Sequence, residues 1–231
     1  MSRTVGILGG MGPAATLDFV ARLRRLTPAR RDQDHLRLLI DDNPTVPNRN
    51  EALAGAGPSP APVLAAMARG LQAAGAEVLV MPCNTAHAFQ ADIEAAVTIP
   101  FLSIVGETIA AARAAAPDLK RAGLLAVDGA LSARLYQDAF AAAGVEPLTL
   151  APDDQAAFMA LVYQIKSGEV GSASRLRMRA LADRLAEAGA DVVVAACTEV
   201  PLVLDAEDLA LPLVNSTEAL AVRTVAFARG G

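Results

Sequence analysis

The chain has little with which to grip a nucleic acid or cross a membrane. Aromatic residues make up 3% of its 231 positions, tryptophan is missing, and the net charge is −5. Neither stacking surfaces nor a basic field is therefore available to bases and phosphates. No apolar run approaches the ~18–20 residues that a bilayer-spanning helix needs, so no membrane partner is expected. Cysteine occurs twice, as Cys83 and Cys197, and histidine twice, as His35 and His87, with no Cys-x-x-Cys pair. That inventory argues against a structural zinc site. Two thiols and no recognisable secretion signal argue equally against a stabilising disulfide. The apolar stretch after Arg3 is broken by Gly9, Gly10, Gly12 and Pro13, too early for a signal-peptide core, and reads as the first strand of a cytoplasmic protein. Lysine is scarce as well: Lys120 and Lys166 are the only two among twenty basic residues.

What is abundant is apolar aliphatic sequence, with 53% hydrophobic and 19% charged residues. Short aliphatic runs alternate with longer Ala/Leu/Arg segments of helical period, the pattern of parallel α/β architecture. Strands are expected at Thr4–Leu8, Leu36–Ile40, Glu77–Met81, Phe101–Leu102, Ala122–Val127, Asp191–Ala196 and Leu213–Val214. Helices are expected at Ala14–Leu26, Pro62–Ala74, Ala86–Ala95, Glu107–Ala115, Ser132–Ala143, Ala156–Lys166, Ser172–Ala188 and Thr217–Ala228.

An internal repeat organises these elements. AGAEVLVMPCNT from Ala74 aligns with AGADVVVAACT from Ala188, and the offset between Cys83 and Cys197 is 197 − 83 = 114 residues. VGILGGMG from Val5 parallels AGLLAVDG from Ala122, and TIPFL from Thr98 parallels ALPLV from Ala210. The fold class expected is α/β with two pseudo-symmetric lobes, each a parallel sheet flanked by helices, and an active site in the cleft between them. The first lobe is drawn as 1–100 plus 212–231 and the second as 101–211, with some exchange of elements at that boundary.

Each thiol follows a buried strand and precedes a helix, the place where open α/β sheets bind ligands. Helix N-termini there bind anions and depress thiol pKa values, and Asn84, Thr85 and Thr198 add side-chain donors. Taken singly, a cysteine at a strand end is as well explained by core filling, since Cys is among the most buried residue types. Packing alone does not require a small polar cluster after both. Two duplicated lobes facing one ligand would instead set two thiols on opposite sides of it, so that one removes a proton from a stereocentre and the other returns a proton to the opposite face.

Five motifs in order carry a resemblance: LGGMGPAAT from Leu8, NPTVPNR from Asn43, PCNTAH from Pro82, YQIKSG from Tyr163 and ACTEVPL from Ala196. Together they resemble the aspartate/glutamate racemase family through nearly the whole chain. Glu199 after the second Cys-Thr, where glutamate racemases usually carry His, favours the aspartate branch. The resemblance implies a cofactor-independent, usually dimeric isomerase of two pseudo-symmetric lobes acting on an acidic amino acid. It implies Cys83 and Cys197 as the acid/base pair, and Asn84, Thr85 and Thr198 as the holders of the α-carboxylate. Arg49 and Lys166 match the basic residues that meet the side-chain carboxylate, Met11 lines the cleft, and Glu199 joins the substrate-binding set. Three departures stand out: Asn48 where the family commonly has Asp before the arginine, which opens the reading to a substrate other than aspartate, Asn215 where it has Asp, and Val127 where it more often has Thr, which removes a hydrogen bond.

Other readings remain open on sequence. GMGPAA from Gly10 fits a G-x-G-x-x-A dinucleotide fingerprint with Asp41 at the next strand end, but the spacing of 41 − 10 = 31 residues exceeds the ~20 expected. Cys83 with His87 could form a thiol hydrolase dyad, which leaves Cys197 without a task. Lys166 could carry pyridoxal phosphate, although no phosphate-binding glycine loop is nearby. A related enzyme acting on another carboxylate, such as a broad-specificity amino-acid racemase or a dicarboxylate isomerase, or a non-catalytic amino-acid binding protein, would use the same two lobes.

Overall fold

The computed structural model describes residues 2–231. The chain opens with strand β1 (Val5–Gly9) and continues through helix α1 (Pro13–Leu26), strand β2 (Leu38–Asp42), helices α2 (Arg49–Leu53) and α3 (Ala61–Ala73), strand β3 (Val78–Val80), helix α4 (Gln90–Glu94) and strand β4 (Phe101–Leu102). Helix α5 (Ile104–Ala115) leads to β5 (Arg121–Leu125), α6 (Asp128–Ser132), α7 (Leu135–Ala142), β6 (Glu146–Thr149), α8 (Pro152–Lys166), α9 (Ser172–Glu187), β7 (Val192–Ala195), β8 (Leu213–Asn215) and α10 (Ser216–Ala228). All strand pairings are parallel, in two sheets of order β2-β1-β3-β4 and β6-β5-β7-β8. The second order repeats the first strand for strand, the three-dimensional form of the sequence repeat.

Burial on both faces explains the uninterrupted aliphatic runs. In the first lobe Val5, Ile7, Val78 and Val80 pack towards Phe19 and Leu23 of α1, whereas Leu8, Leu79 and Met81 pack towards Leu64, Met67 and Leu71 of α3. The division follows the two-residue period of a strand. In the second lobe Leu124, Val192, Val193 and Val194 are enclosed by Tyr136, Phe140, Phe158, Leu161, Met178 and Leu185. Gly6 and Gly123 occupy matching places in β1 and β5 for the same reason. A Cβ on Gly6 would lie 2.7 Å from Leu79 Cδ2, and one on Gly123 2.8 Å from Leu185 Cβ.

Strand pairing divides the chain differently from the sequence-drawn limits of 1–100 plus 212–231 and 101–211. Phe101–Leu102 pairs with β3 and so belongs to the first sheet, while Leu213–Asn215 pairs with β7 and belongs to the second. The exchange falls one element later, at the helices. Ala112 of α5, with Val105, Ile109 and Ala111 beside it, packs into the second core, and Leu220, Ala221 and Val225 of α10 pack into the first. Each lobe thus covers one face of its partner's sheet.

Several elements escape the sequence patterns. Strand β6 carries Pro147, which hides a strand in the sequence but is tolerated because β6 lies at a sheet edge. The single helix expected over Ser132–Ala143 is broken at Arg134, which takes the left-handed conformation (φ 54°) before α7 starts. The helix expected over Ala86–Ala95 is a 3₁₀ segment, Thr85–Phe89, followed by the short α4. Arg49, outside every helix expected from the sequence, starts α2, capped by the Asn48 side chain accepting from Asn50 N–H at 3.0 Å.

The 3₁₀ segment carries His87, which pins the loop after β3 to the start of α5. Its Nε2 accepts from the Ile104 N–H at 3.0 Å, which leaves Nδ1 as the protonated nitrogen, donating to the Cys83 carbonyl at 2.8 Å. The ring is buried and leans on Phe101 at 5.4 Å between centroids. Burial, opposed by the bond to Cys83, pushes its pKa down from 6.5 to about 4. Because the folded value lies below the unfolded one, this stabilisation is complete above pH 6.5 and disappears as the pH falls towards about 4. Urea unfolding at pH 7 and pH 4.5 is expected to show the wild type losing about 2–3 kcal/mol more than His87→Gln over that interval. Equal losses in the two proteins would contradict a buried neutral His87.

Candidate active site

The two cysteines leave their strands through tight turns set one residue apart in the repeat. After β3 the Cys83 N–H turns back to the Met81 carbonyl at 2.8 Å, and after β7 the Ala196 N–H turns back to the Val194 carbonyl at 2.9 Å. Each tight turn ends the sheet ladder and leads into a 3₁₀ segment, Thr85–Phe89 in one lobe and Val200–Leu202 in the other. Both thiols are free, and both are nearly buried, at 6% and 5% exposure.

They line one cleft of about 490 Å³. Met11, Arg49, Asn84, Thr85, Lys166, Thr198 and Glu199, the other residues singled out on sequence, line it too. The walls also include residues with no role assigned on sequence: Thr45, Asn50 and Tyr163, the last in the YQIKSG motif. Val127 lies in the wall, so the apolar residue that replaces the family's more usual Thr faces the same space.

The polar side chains divide into an electrostatic group and a structural one. Lys166, at the end of α8, forms an ion pair with Glu199 Oε1. Glu199 Oε2 accepts from the Cys197 thiol at 3.0 Å and lies 3.4 Å from the Thr198 hydroxyl. Burial first, and the Glu199 carboxylate second, push the Cys197 thiol well above its ordinary pKa, with Lys166 opposing. Helix-dipole depression of the thiol, expected from sequence, does not govern Cys197, because a three-residue 3₁₀ turn has little dipole to offer against a buried carboxylate. Burial works against the charge of Lys166, but Glu199 and the thiols outweigh it and raise its pKa.

Arg49 is held by main chain: its Nη1 donates to the Val46 and Pro47 carbonyls at 3.1 and 3.0 Å. The neighbouring Asn48, where the family commonly has Asp, caps α2 and bonds Glu51 at 2.8 Å, so backbone carbonyls fix this guanidinium. Asn215, the other Asn in place of Asp, caps α10 by accepting from the Glu218 N–H at 3.1 Å.

Asn84 sits in a buried network that sequence inspection missed. It accepts from the Tyr136 hydroxyl, and its amide donates to Ser216 Oγ at 3.1 Å. Ser216 in turn donates to the Ala195 carbonyl at 2.6 Å, at the end of β7. Tyr136 and Ser216 lie 52 and 132 residues from Asn84, and nothing local marks them as its partners. A second link reaches a residue of the cleft wall, where the Gly129 N–H donates to Asn50 Oδ1 at 3.0 Å.

The geometry bears on two rival readings. His87 cannot act as a base towards Cys83, because Nε2 is engaged as an acceptor and Nδ1–H points at the Cys83 carbonyl. The ammonium of Lys166 is paired with Glu199. Among the described residues no group of three His, Cys, Asp or Glu side chains converges as metal ligands would, and no helix is long and apolar enough to cross a membrane.

Comparison with known proteins agrees with this architecture. The profile of a family described as Asp/Glu/Hydantoin racemase matches residues 8–224. The broad specificity amino-acid racemase RacX of Bacillus subtilis strain 168 is 28% identical over 225 residues, 96% of each chain. The structure of Picrophilus torridus aspartate racemase superposes with a TM-score of 0.87 at 26% identity, over 98% of this chain and 94% of that one. Glutamate racemase from Francisella tularensis subsp. tularensis, solved with D-glutamate, shares the fold with a TM-score of 0.72 at 16% identity, over 99% of this chain and 82% of that one. With the profile matched over residues 8–224 and the fold shared with an aspartate racemase structure, the chain belongs to the Asp/Glu/Hydantoin racemase family.

Proposed function

We propose that this isomerase is a cofactor-independent amino-acid racemase in which Cys83 and Cys197 act as opposed acid and base on one Cα. One observation supports this above the others: two free thiols follow matching strands, β3 and β7, of two repeated sheets and line the same cleft. In the reaction one sulfur, as thiolate, takes the α-proton. The electron pair left on Cα delocalises into the α-carboxylate, and the other thiol delivers its proton to the opposite face. The site then holds one proton between two sulfurs before and after each turnover, so no external acid, base or oxidant is consumed.

The substrate reading is an acidic amino acid, aspartate first and glutamate second, handled by a cytoplasmic homodimer as the family resemblance implies. Asn84, Thr85 and Thr198, beside the two sulfurs, hold the α-carboxylate; fixing the Asn84 carbonyl on Tyr136 turns its amide nitrogen to a donor role. Arg49, clamped through one nitrogen to two carbonyls, keeps its remaining N–H groups for the side-chain carboxylate, and Met11 lines the apolar side. A second reading, racemisation of a broader set of amino acids, is favoured by the Lys166–Glu199 pair, which neutralises one of the two cations in the cleft.

Incubation with single enantiomers in heavy water, with no cofactor added, is expected to place deuterium at Cα of aspartate as it racemises. Exchange confined to non-acidic amino acids would replace the acidic assignment with the broad-specificity one, and no exchange across a full panel would sink the racemase reading. Cys83→Ser and Cys197→Ser are each expected to lower kcat by about 10²–10⁴-fold with little change in ligand affinity, the loss typical of a missing general acid or base. Arg49→Met is expected to raise KM for aspartate by about 10–100-fold, the worth of one charged hydrogen bond, and to leave alanine turnover unaffected. Equal effects on both substrates would remove Arg49 from side-chain recognition.

A further inference from the structure

The repeat that makes the two thiols alike also makes their neighbours differ. The offset of 114 residues carries Asn84 onto Thr198 and Thr85 onto Glu199. Beside one sulfur stands a neutral hydroxyl; beside the other stands a carboxylate that is 3% exposed. The sulfurs themselves have nearly equal exposure, 6% and 5%. The difference between them lies in what Glu199 does.

Glu199 is held from both sides. Lys166 grips Oε1, and the Cys197 thiol donates to Oε2 at 3.0 Å. While Cys197 carries its proton, that contact is a hydrogen bond to a charged acceptor. Were Cys197 the thiolate, a sulfur anion would face a carboxylate oxygen at the same distance in a site shielded from water, with no proton between them. Lys166 moderates the repulsion only partly, since its ammonium sits on the other oxygen. The remaining charged side chain of the cleft wall, Arg49, is anchored to the Val46 and Pro47 carbonyls. His87, next to Cys83, is locked neutral by its two backbone bonds and so supplies no opposing charge.

We propose that Glu199 is a positioning residue that keeps the shared proton on Cys197 in the free enzyme, so that Cys83 is the sulfur poised to abstract. This rests on the two-base racemase reading and deepens it. The enantiomer whose α-hydrogen faces Cys83 meets the enzyme in its working form. The other enantiomer meets it only after the proton has moved from Cys197 to Cys83, through bound substrate or through water. The direction in which the buried Cys197 thiol is shifted agrees with this placement. Because enantiomers have equal standard free energies, kcat/KM for the two directions is equal whatever the resting state, and the asymmetry has to be read from the sulfurs themselves.

The test is alkylation with limiting iodoacetamide in the absence of substrate, with each cysteine followed by peptide mass spectrometry between pH 6 and pH 10. Only the thiolate reacts at an appreciable rate, and the similar exposure of the two sulfurs keeps access from deciding the outcome. In the wild type Cys83 is expected to label about tenfold or more faster than Cys197 at pH 7.5, with Cys197 labelling rising only at higher pH. In Glu199→Gln, which keeps an acceptor and removes the charge, labelling of Cys197 is expected to accelerate until the two rates lie within about threefold. Equal labelling in the wild type, faster labelling of Cys197, or a ratio unchanged by Glu199→Gln in a folded variant would overturn the assignment. The wild-type ratio decides the question if that variant does not fold. Labelling needs no turnover: a Cys83 preference without deuterium exchange defeats the racemase reading alone, whereas exchange with equal labelling defeats only the role given to Glu199.

Discussion

The side-chain amide of Asn84 is the interaction on which the site depends. It accepts from Tyr136 of the second lobe and donates to Ser216, whose hydroxyl reaches the Ala195 carbonyl. A single buried chain of hydrogen bonds thus runs from the residue after Cys83 to the residue two positions before Cys197. All of its side chains are buried, so breaking any member would strand a polar group where water cannot easily replace it, at a cost of about 1–3 kcal/mol. Packing between Ala-rich helices fixes distances between the lobes only loosely. A closed polar chain adds direction, which the proposed sharing of one substrate carbon by two thiols would require.

The exchange of α5 and α10 serves the same end at larger scale. Each helix leaves the sheet that precedes it and covers a face of the other, so the two cores are sewn together rather than merely abutted. The cleft is bounded by loops at the carboxyl ends of both sheets, where parallel strands deliver their successors to one side. His87 belongs to this framework rather than to the chemistry, because it ties the Cys83 carbonyl to the start of the crossing helix α5.

Much of this was legible in the sequence because a duplication writes the same pattern twice. The strands with continuous aliphatic runs, such as Val192–Ala195, are displaced by a residue or two at most from their expected limits. The residues singled out around the two Cys motifs all reach one cleft. What escaped reading were the elements without a periodic signature: the Pro-bearing edge strand β6, the five-residue helices α2 and α6, and the break at Arg134. The lobe limits were misplaced for a related reason. A two-residue strand, Phe101–Leu102, has too little sequence to reveal its sheet, and only its pairing with Leu79 and Val80 assigns it.

By itself the sequence determined the layered α/β class and the near-equivalence of the two thiols, because hydrophobic period and internal repetition are local properties of a chain. Only the tertiary structure decided how that equivalence is broken. Glu199 reads on sequence as a mark of the aspartate branch, and Lys166 as a helix-end lysine 33 residues away. Their meeting beside Cys197, out of water, gives a carboxylate and an ammonium an influence on a neighbouring sulfur that neither has in solvent, since electrostatic interactions strengthen as the surrounding dielectric falls.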